Sequence, residues 1–200
     1  MKTFAKIISV LFHPIFMPFL TILIVFNTNT YLSNFALEAK LKIYFIFLFF
    51  TVLMPLIMIA ILLKTKQIKS IYLETKEERR FPYLFIIITY FALYYLLIKL
   101  QLPIYLSIFI LGILIATIIG LIINTFWKIS THMIGIGYIS GLIFFIILNF
   151  NVSLTHFFLL LILVSGLIGT CRMYLKAHTL SQIFVGYIVG FLAIYFIYLI

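Results

Sequence analysis

Residues 104–123 read IYLSIFILGILIATIIGLII, twenty positions without a charged side chain. Coiled as an α-helix, such a run is about 30 Å long, the thickness of a bilayer's hydrocarbon core. Inside that core the backbone must bond to itself, so a helix is the form this stretch can take there. Comparable runs fall at about 5–26, 41–63, 82–98, 132–149, 154–171 and 179–200. The whole composition agrees: 66% hydrophobic, 9% charged and a mean hydropathy of +1.33, far from soluble domains. The expected fold is an all-α integral membrane protein, a bundle of six to seven transmembrane helices with seven preferred. No repeat of domain-building length and no Gly/Ser or Pro-rich linker divides it, so residues 1–200 read as a single domain.

The first run has Lys2 and Lys6 ahead of it and no small-residue cleavage site after it, which argues against a removed signal peptide. With His13, Pro14 and Pro18 inside, it is expected to stay as a span kinked near the prolines. The long polar segment KTKQIKSIYLETKEERRFP, residues 64–82, sets Ile68, Ile71 and Tyr72 at helical spacing and its charges on the other faces. That pattern predicts an interfacial amphipathic helix. Seven spans would bring three polar clusters, residues 76–82, 124–132 and 172–178, to the same side of the membrane.

The formal charge is +10, from 14 basic against 4 acidic residues, and it favours anionic head groups and anionic substrates. Lysines outnumber arginines eleven to three, yet Arg79, Arg80 and Arg172 all lie in those clusters. A guanidinium offers a planar fork of donors that matches phosphate oxygens, which an ammonium does not. In the second cluster Ser130 or Thr131 reads as the cap of the fifth span, with free N–H groups beside His132 and a further cation at Lys128. Trp127 reads as an interface anchor. In the third, His178 and Gln182 are four residues apart at a helix start and share a face. The Gln182 carbonyl is placed to accept from His178 Nδ1, which leaves Nε2 unprotonated, the orientation of a nucleophilic histidine. His13 is read as an intramembrane histidine with either a structural or a functional role, and His156 as interfacial on the opposite side. The single Cys171 excludes an intramolecular disulfide, and it stands too close to Arg172 for a thiolate phosphate loop.

The three clusters resemble the signature of the type 2 phosphatidic acid phosphatase and haloperoxidase superfamily, KxxxxxxRP, PSGH and SRxxxxxHxxxD. The third element is met by Cys171, Arg172, His178 and Gln182 at unchanged spacing, with Cys for Ser and Gln for Asp. The second reads Ile129, Ser130, Thr131, His132; in the first, Arg79 or Arg80 precedes Pro82, and Lys76 replaces the distant lysine. The resemblance implies a membrane lipid-phosphate phosphatase acting without metal or cofactor on a phosphomonoester or diphosphate, of the phosphatidate, phosphatidylglycerol phosphate or polyprenyl phosphate type. It implies that His178 attacks phosphorus to form a phosphohistidine and that His132 protonates the leaving alkoxide. Lys76, Arg79, Ser130 and Arg172 would hold the phosphoryl oxygens, with Lys128 adding charge beside them. Gln182 would orient His178 without the imidazolium stabilisation that an aspartate gives. Should a carboxylate assist, the chain offers Glu38, Glu74, Glu77 and Glu78.

Lys2, Lys6, Lys64, Lys66, Lys69, Arg80 and Lys176 outnumber Lys40, Lys42 and Lys99 across the two sides, which points the clusters to the cytoplasmic face. The Ile, Phe, Lys and Asn bias suggests a bacterium, hence its inner membrane. The expected partners are the bilayer and a lipid phosphate, with no nucleic acid. The alternative from another class is a catalytically silent bundle that binds or translocates anionic lipids, motivated by Gln182.

Overall fold

The structure, a computed structural model, describes residues 1–28, 30–69, 75, 77–150 and 152–199. Among them are eight α-helices and no strand: α1 Lys2–Leu11, α2 Met17–Phe26, α3 Leu37–Lys64, α4 Arg80–Lys99, α5 Ile104–Phe126, α6 Thr131–Phe150, α7 Thr155–Tyr174 and α8 Leu180–Ile197. Helices α3 to α8 are long and apolar enough to cross a membrane, six in all, so this is a multi-pass membrane protein. Its outer surface carries Phe45, Ile88, Leu163 and Phe184, each at least 65% exposed. Water would penalise that surface, and hydrocarbon accepts it. Within α3, Pro55 lacks an N–H and its ring crowds the carbonyl one turn earlier. A π-helical turn at Phe49–Leu53 takes up the misfit, and the helix runs on to Lys64.

The first apolar run is broken more deeply than a kink. Pro14 cannot donate and disfavours helical backbone at His13, so α1 ends at Leu11 and α2 begins at Met17, with Pro18 in its first turn where a missing N–H does no harm. Ten residues of α2 reach about 15 Å, half a hydrocarbon core. The segment still descends along α6: His13 packs on His132, Met17 lies against Gly135, and Ile22 and Val25 share a small pocket with Leu142 and Ile146. Helix α1 exposes Phe4, Ile7 and Leu11 on one face, buries Ala5, Ile8 and Ser9 on the next, and turns Lys2 and Lys6 to a third. Among the described helices it has the pattern of an amphipathic surface helix. The segment predicted for that role differs: described residues 65–69, 75 and 77–79 form turns and bends, while 70–74, with Ile71 and Tyr72, lie outside the described residues.

The most extensive contact in the bundle joins α6 and α8. A Cβ on Gly137 would collide with the Tyr187 carbonyl oxygen, and one on Gly190 with that of Ile134, so only glycine allows this backbone approach. The approach fixes the register of the two helix starts, and the Ser130 N–H donates to the Gln182 carbonyl at 3.4 Å. The bundle thus has a cationic end, where Arg79, His132 and Arg172 border one cavity, and a far end, where Tyr105, Phe150 and Tyr198 stack together.

Candidate functional site

The geometry starts from the capping box of α8. Thr179 Oγ1 accepts from the Gln182 N–H at 3.4 Å, and Gln182 Oε1 accepts in return from the Thr179 N–H at 3.2 Å. The same Oε1 lies 3.0 Å from His178 Nδ1. A backbone N–H can only donate, so the amide atom facing both groups is its oxygen, and the His178 proton sits on Nδ1. Nε2 therefore carries the lone pair. It is buried and has no hydrogen-bond partner among the described residues. Burial first, then the Arg79 charge, lowers the His178 pKa to about 3, against the opposing pull of the Gln182 bond and with smaller contributions from Arg172 and Lys128. At neutral pH this is an unprotonated imidazole held in a field of cations.

Arg79, the residue before α4, is 6% exposed and donates from Nη1 to the Ile129 carbonyl at 3.0 Å. Burial pushes the guanidinium below its ordinary pKa, and Tyr83 pulls the other way. Ile129 leads into Ser130, whose carbonyl accepts the Met133 and Ile134 N–H groups and opens α6, while its buried Oγ has no partner among the described residues. Two hydrogen bonds, Arg79 to Ile129 and Ser130 to Gln182, therefore tie three distant segments together. Arg172 joins them from the last turn of α7, where the helix's negative end favours a cation. Its buried Nε also lacks a partner among the described residues. Lys128 is half-buried and acts electrostatically on His178, and Arg80 is exposed. Lys76 lies outside the described residues.

His132, the second residue of α6, is buried, and its Nε2 lies 3.0 Å from the Ser9 carbonyl. A carbonyl only accepts, so Nε2 holds a proton and the neutral ring is left with its lone pair on Nδ1. The standing charge that acts on this ring is that of Arg172. Next to the cations opens a cavity of about 310 Å³, in the range of small-molecule sites. Arg79, His132 and Arg172 border it, and Met58, Ile59, Ile86, Tyr90 and Ile113 line its apolar part. Pro82 and Tyr90, eight residues apart on α4, both line it, so the cavity follows the helix for about 12 Å. His178 and Ser130 are not wall residues; both arginines act electrostatically on His178, and Arg79 is bonded to the residue before Ser130.

Three participants were not singled out in the sequence. Thr179 could have been, because Thr179-x-x-Gln182 is a capping-box pattern. Ser9 could not, since only the folding back of α1 brings its carbonyl to His132. Tyr83, whose buried hydroxyl at the cavity has no partner among the described residues, looks in sequence like any aromatic of an apolar run. Among the described residues, no group of three or more His, Cys, Asp or Glu side chains is arranged to hold a metal ion. Comparison of the chain with protein-family models, curated proteins and solved structures finds no match.

Proposed function

We propose that this protein is a lipid-phosphate phosphatase of the type 2 phosphatidic acid phosphatase superfamily. One observation carries the reading: Arg172, with its buried and unpartnered Nε, stands with Arg79 and His132 at the cationic end of a long apolar cavity, and both arginines act on His178, whose buried Nε2 lone pair has no partner among the described residues. A phosphate monoester with a hydrocarbon tail has the matching chemistry at both ends. The His178 Nε2 lone pair attacks phosphorus, the ester P–O bond breaks, and its electron pair leaves on the lipid oxygen. His132, neutral at rest with its lone pair on Nδ1, takes the acidic proton of the phosphomonoester there and gives it to that oxygen as it leaves, while the Ser9 carbonyl keeps the Nε2 proton in place. Water then attacks the phosphohistidine and returns a proton to His132, and phosphate leaves. Arg172, Arg79, Ser130 and Lys128 hold the phosphoryl oxygens, and Lys76 is assigned to them by the motif. The excess of lysines on the site's side favours the cytoplasmic face, and the Ile, Phe, Lys and Asn bias favours a bacterial inner membrane.

The test is phosphate release by purified protein from phosphatidic acid, phosphatidylglycerol phosphate and polyprenyl phosphates, beside His178→Ala. Release by the wild type and none by the variant is expected; equal rates remove His178 from the mechanism. Ile86→Trp, which narrows the apolar part, is expected to slow long-tailed substrates while sparing a short soluble phosphate ester. A second reading, binding or translocation of anionic lipids without turnover, is favoured by the amide at Gln182, which cannot stabilise an imidazolium as a carboxylate does. Lipid binding with no turnover of any substrate would decide for it.

A further inference from the structure

We propose that His13 is a further substrate-contacting residue, giving its Nε2–H to an oxygen of the same phosphate group that Arg172 holds. It rests on the phosphatase reading for the identity of that group, and on separate observations for its own role. His13 lies in the break between α1 and α2 and lines the cavity beside Arg79, His132 and Arg172. The Ile15 N–H donates to His13 Nδ1 at 3.4 Å. A nitrogen that accepts from a backbone N–H carries a lone pair, so the neutral ring has its proton on Nε2 and is a donor there. Among the described residues Nε2 makes no hydrogen bond, which leaves this donor without a structural use. The ring is clamped edge-to-face by His132, with centroids 5.5 Å apart, and by Phe16 at 6.3 Å. The Arg172 charge acts on it, and both side chains border the same cavity. A neutral imidazole in this position donates to an anion without giving up its proton, so it adds grip to the phosphate group in the ground state and the transition state alike.

The break in the first run thereby acquires a reason. Residues 12–16 leave the helix and bring an imidazole to the cavity, and α1 then returns over the same opening with the Ser9 carbonyl on His132. The N-terminal segment contributes two contacts to a site whose motifs all lie beyond residue 75.

Orthovanadate binding by the purified full-length chain, followed by calorimetry, tests this directly. His13→Ala is expected to weaken vanadate about tenfold or more, the effect of one lost hydrogen bond to a charged group. His13→Gln, whose amide N–H₂ reaches the position of Nε2, is expected to recover affinity to within about threefold of wild type, a rescue no merely structural role predicts. With a substrate that turns over, His13→Ala should raise KM and leave kcat close to wild type, because the contact is uniform. Equal vanadate affinity in wild type and His13→Ala overturns the inference, as does a His13→Gln no better than His13→Ala, or a wild type that binds no vanadate. If vanadate binding depends on His13 while no lipid phosphate is hydrolysed, His13 keeps its role and the phosphatase reading fails.

Discussion

The two ends of the bundle treat polar groups in opposite ways. At the far end Lys40 donates to the Phe26 and Ser33 carbonyls, the Tyr198 hydroxyl donates to the Tyr105 carbonyl at 2.6 Å, and Lys42 pairs with Glu38 in the open. These bonds close chain ends and loops; among the described residues Ser107 Oγ is a buried exception. At the cationic end, nitrogen and oxygen atoms of Arg172, His178 and Ser130 are buried without a partner among the described residues. Leaving such an atom unsatisfied costs about 1–3 kcal/mol, and more for a charged group. Among the described residues such atoms concentrate at the cationic end, where the proposed ligand sits.

The comparison is tested most severely by histidine exchange. His178→Ala should reduce phosphate release by a factor of about 10³ or more, whereas His156→Ala, at the far end, should leave it unchanged. Comparable losses in both would abolish the distinction between the ends. Arg172→Lys keeps the charge and removes the planar fork, so turnover should fall by a factor of about 10²–10³ while the melting temperature stays within a few degrees, read by a coupled phosphate assay and a thermal shift. Gln182→Glu preserves the capping box and adds the carboxylate that stabilises an imidazolium; it should raise kcat about tenfold or more, and Gln182→Leu, which lacks the acceptor, should lower it.

Acid sharpens the contrast further. The folded pKa of His178 near 3 lies below its ordinary 6.5, so between those values the unfolded chain binds a proton that the folded chain does not. The stabilisation from this group is complete above about pH 6.5 and is lost as pH falls toward 3. Denaturation midpoints in detergent should therefore drop over that window, and His178→Phe should flatten the drop. Smallest of all, Lys42→Ala should shift stability by less than about 1 kcal/mol, since both members of its ion pair are more than 70% exposed.

What the sequence disclosed follows from where its information is local. The charge-free run of residues 104–123 made α5 legible, and the four-residue spacing of His178 and Gln182 made their hydrogen bond legible, because periodicity and side-chain reach act within one helix. The division of the first run into α1 and α2 was harder to read: Pro14 announces a disturbance, but whether a helix kinks or stops depends on what packs beside it. The contacts of Ser9 and His13 with His132 span more than a hundred residues and arise only once α1 lies over the cavity. Arg79 shows both limits. Its residue type marked it as a phosphate ligand, while its bond to the Ile129 carbonyl, which couples two of the three clusters, needed the fold.

The central claim is that an anion gathered by the cationic end is attacked by one particular nitrogen. Rapid quenching of the purified protein with a ³²P-labelled lipid phosphate, followed by peptide mapping, tests it most directly. The account predicts an acid-labile, base-stable phosphate on His178, absent from His178→Ala and stronger in Gln182→Leu if hydrolysis of the intermediate slows more than its formation. Turnover that leaves no phosphohistidine, or label found on another side chain while His178→Ala keeps full activity, would contradict it.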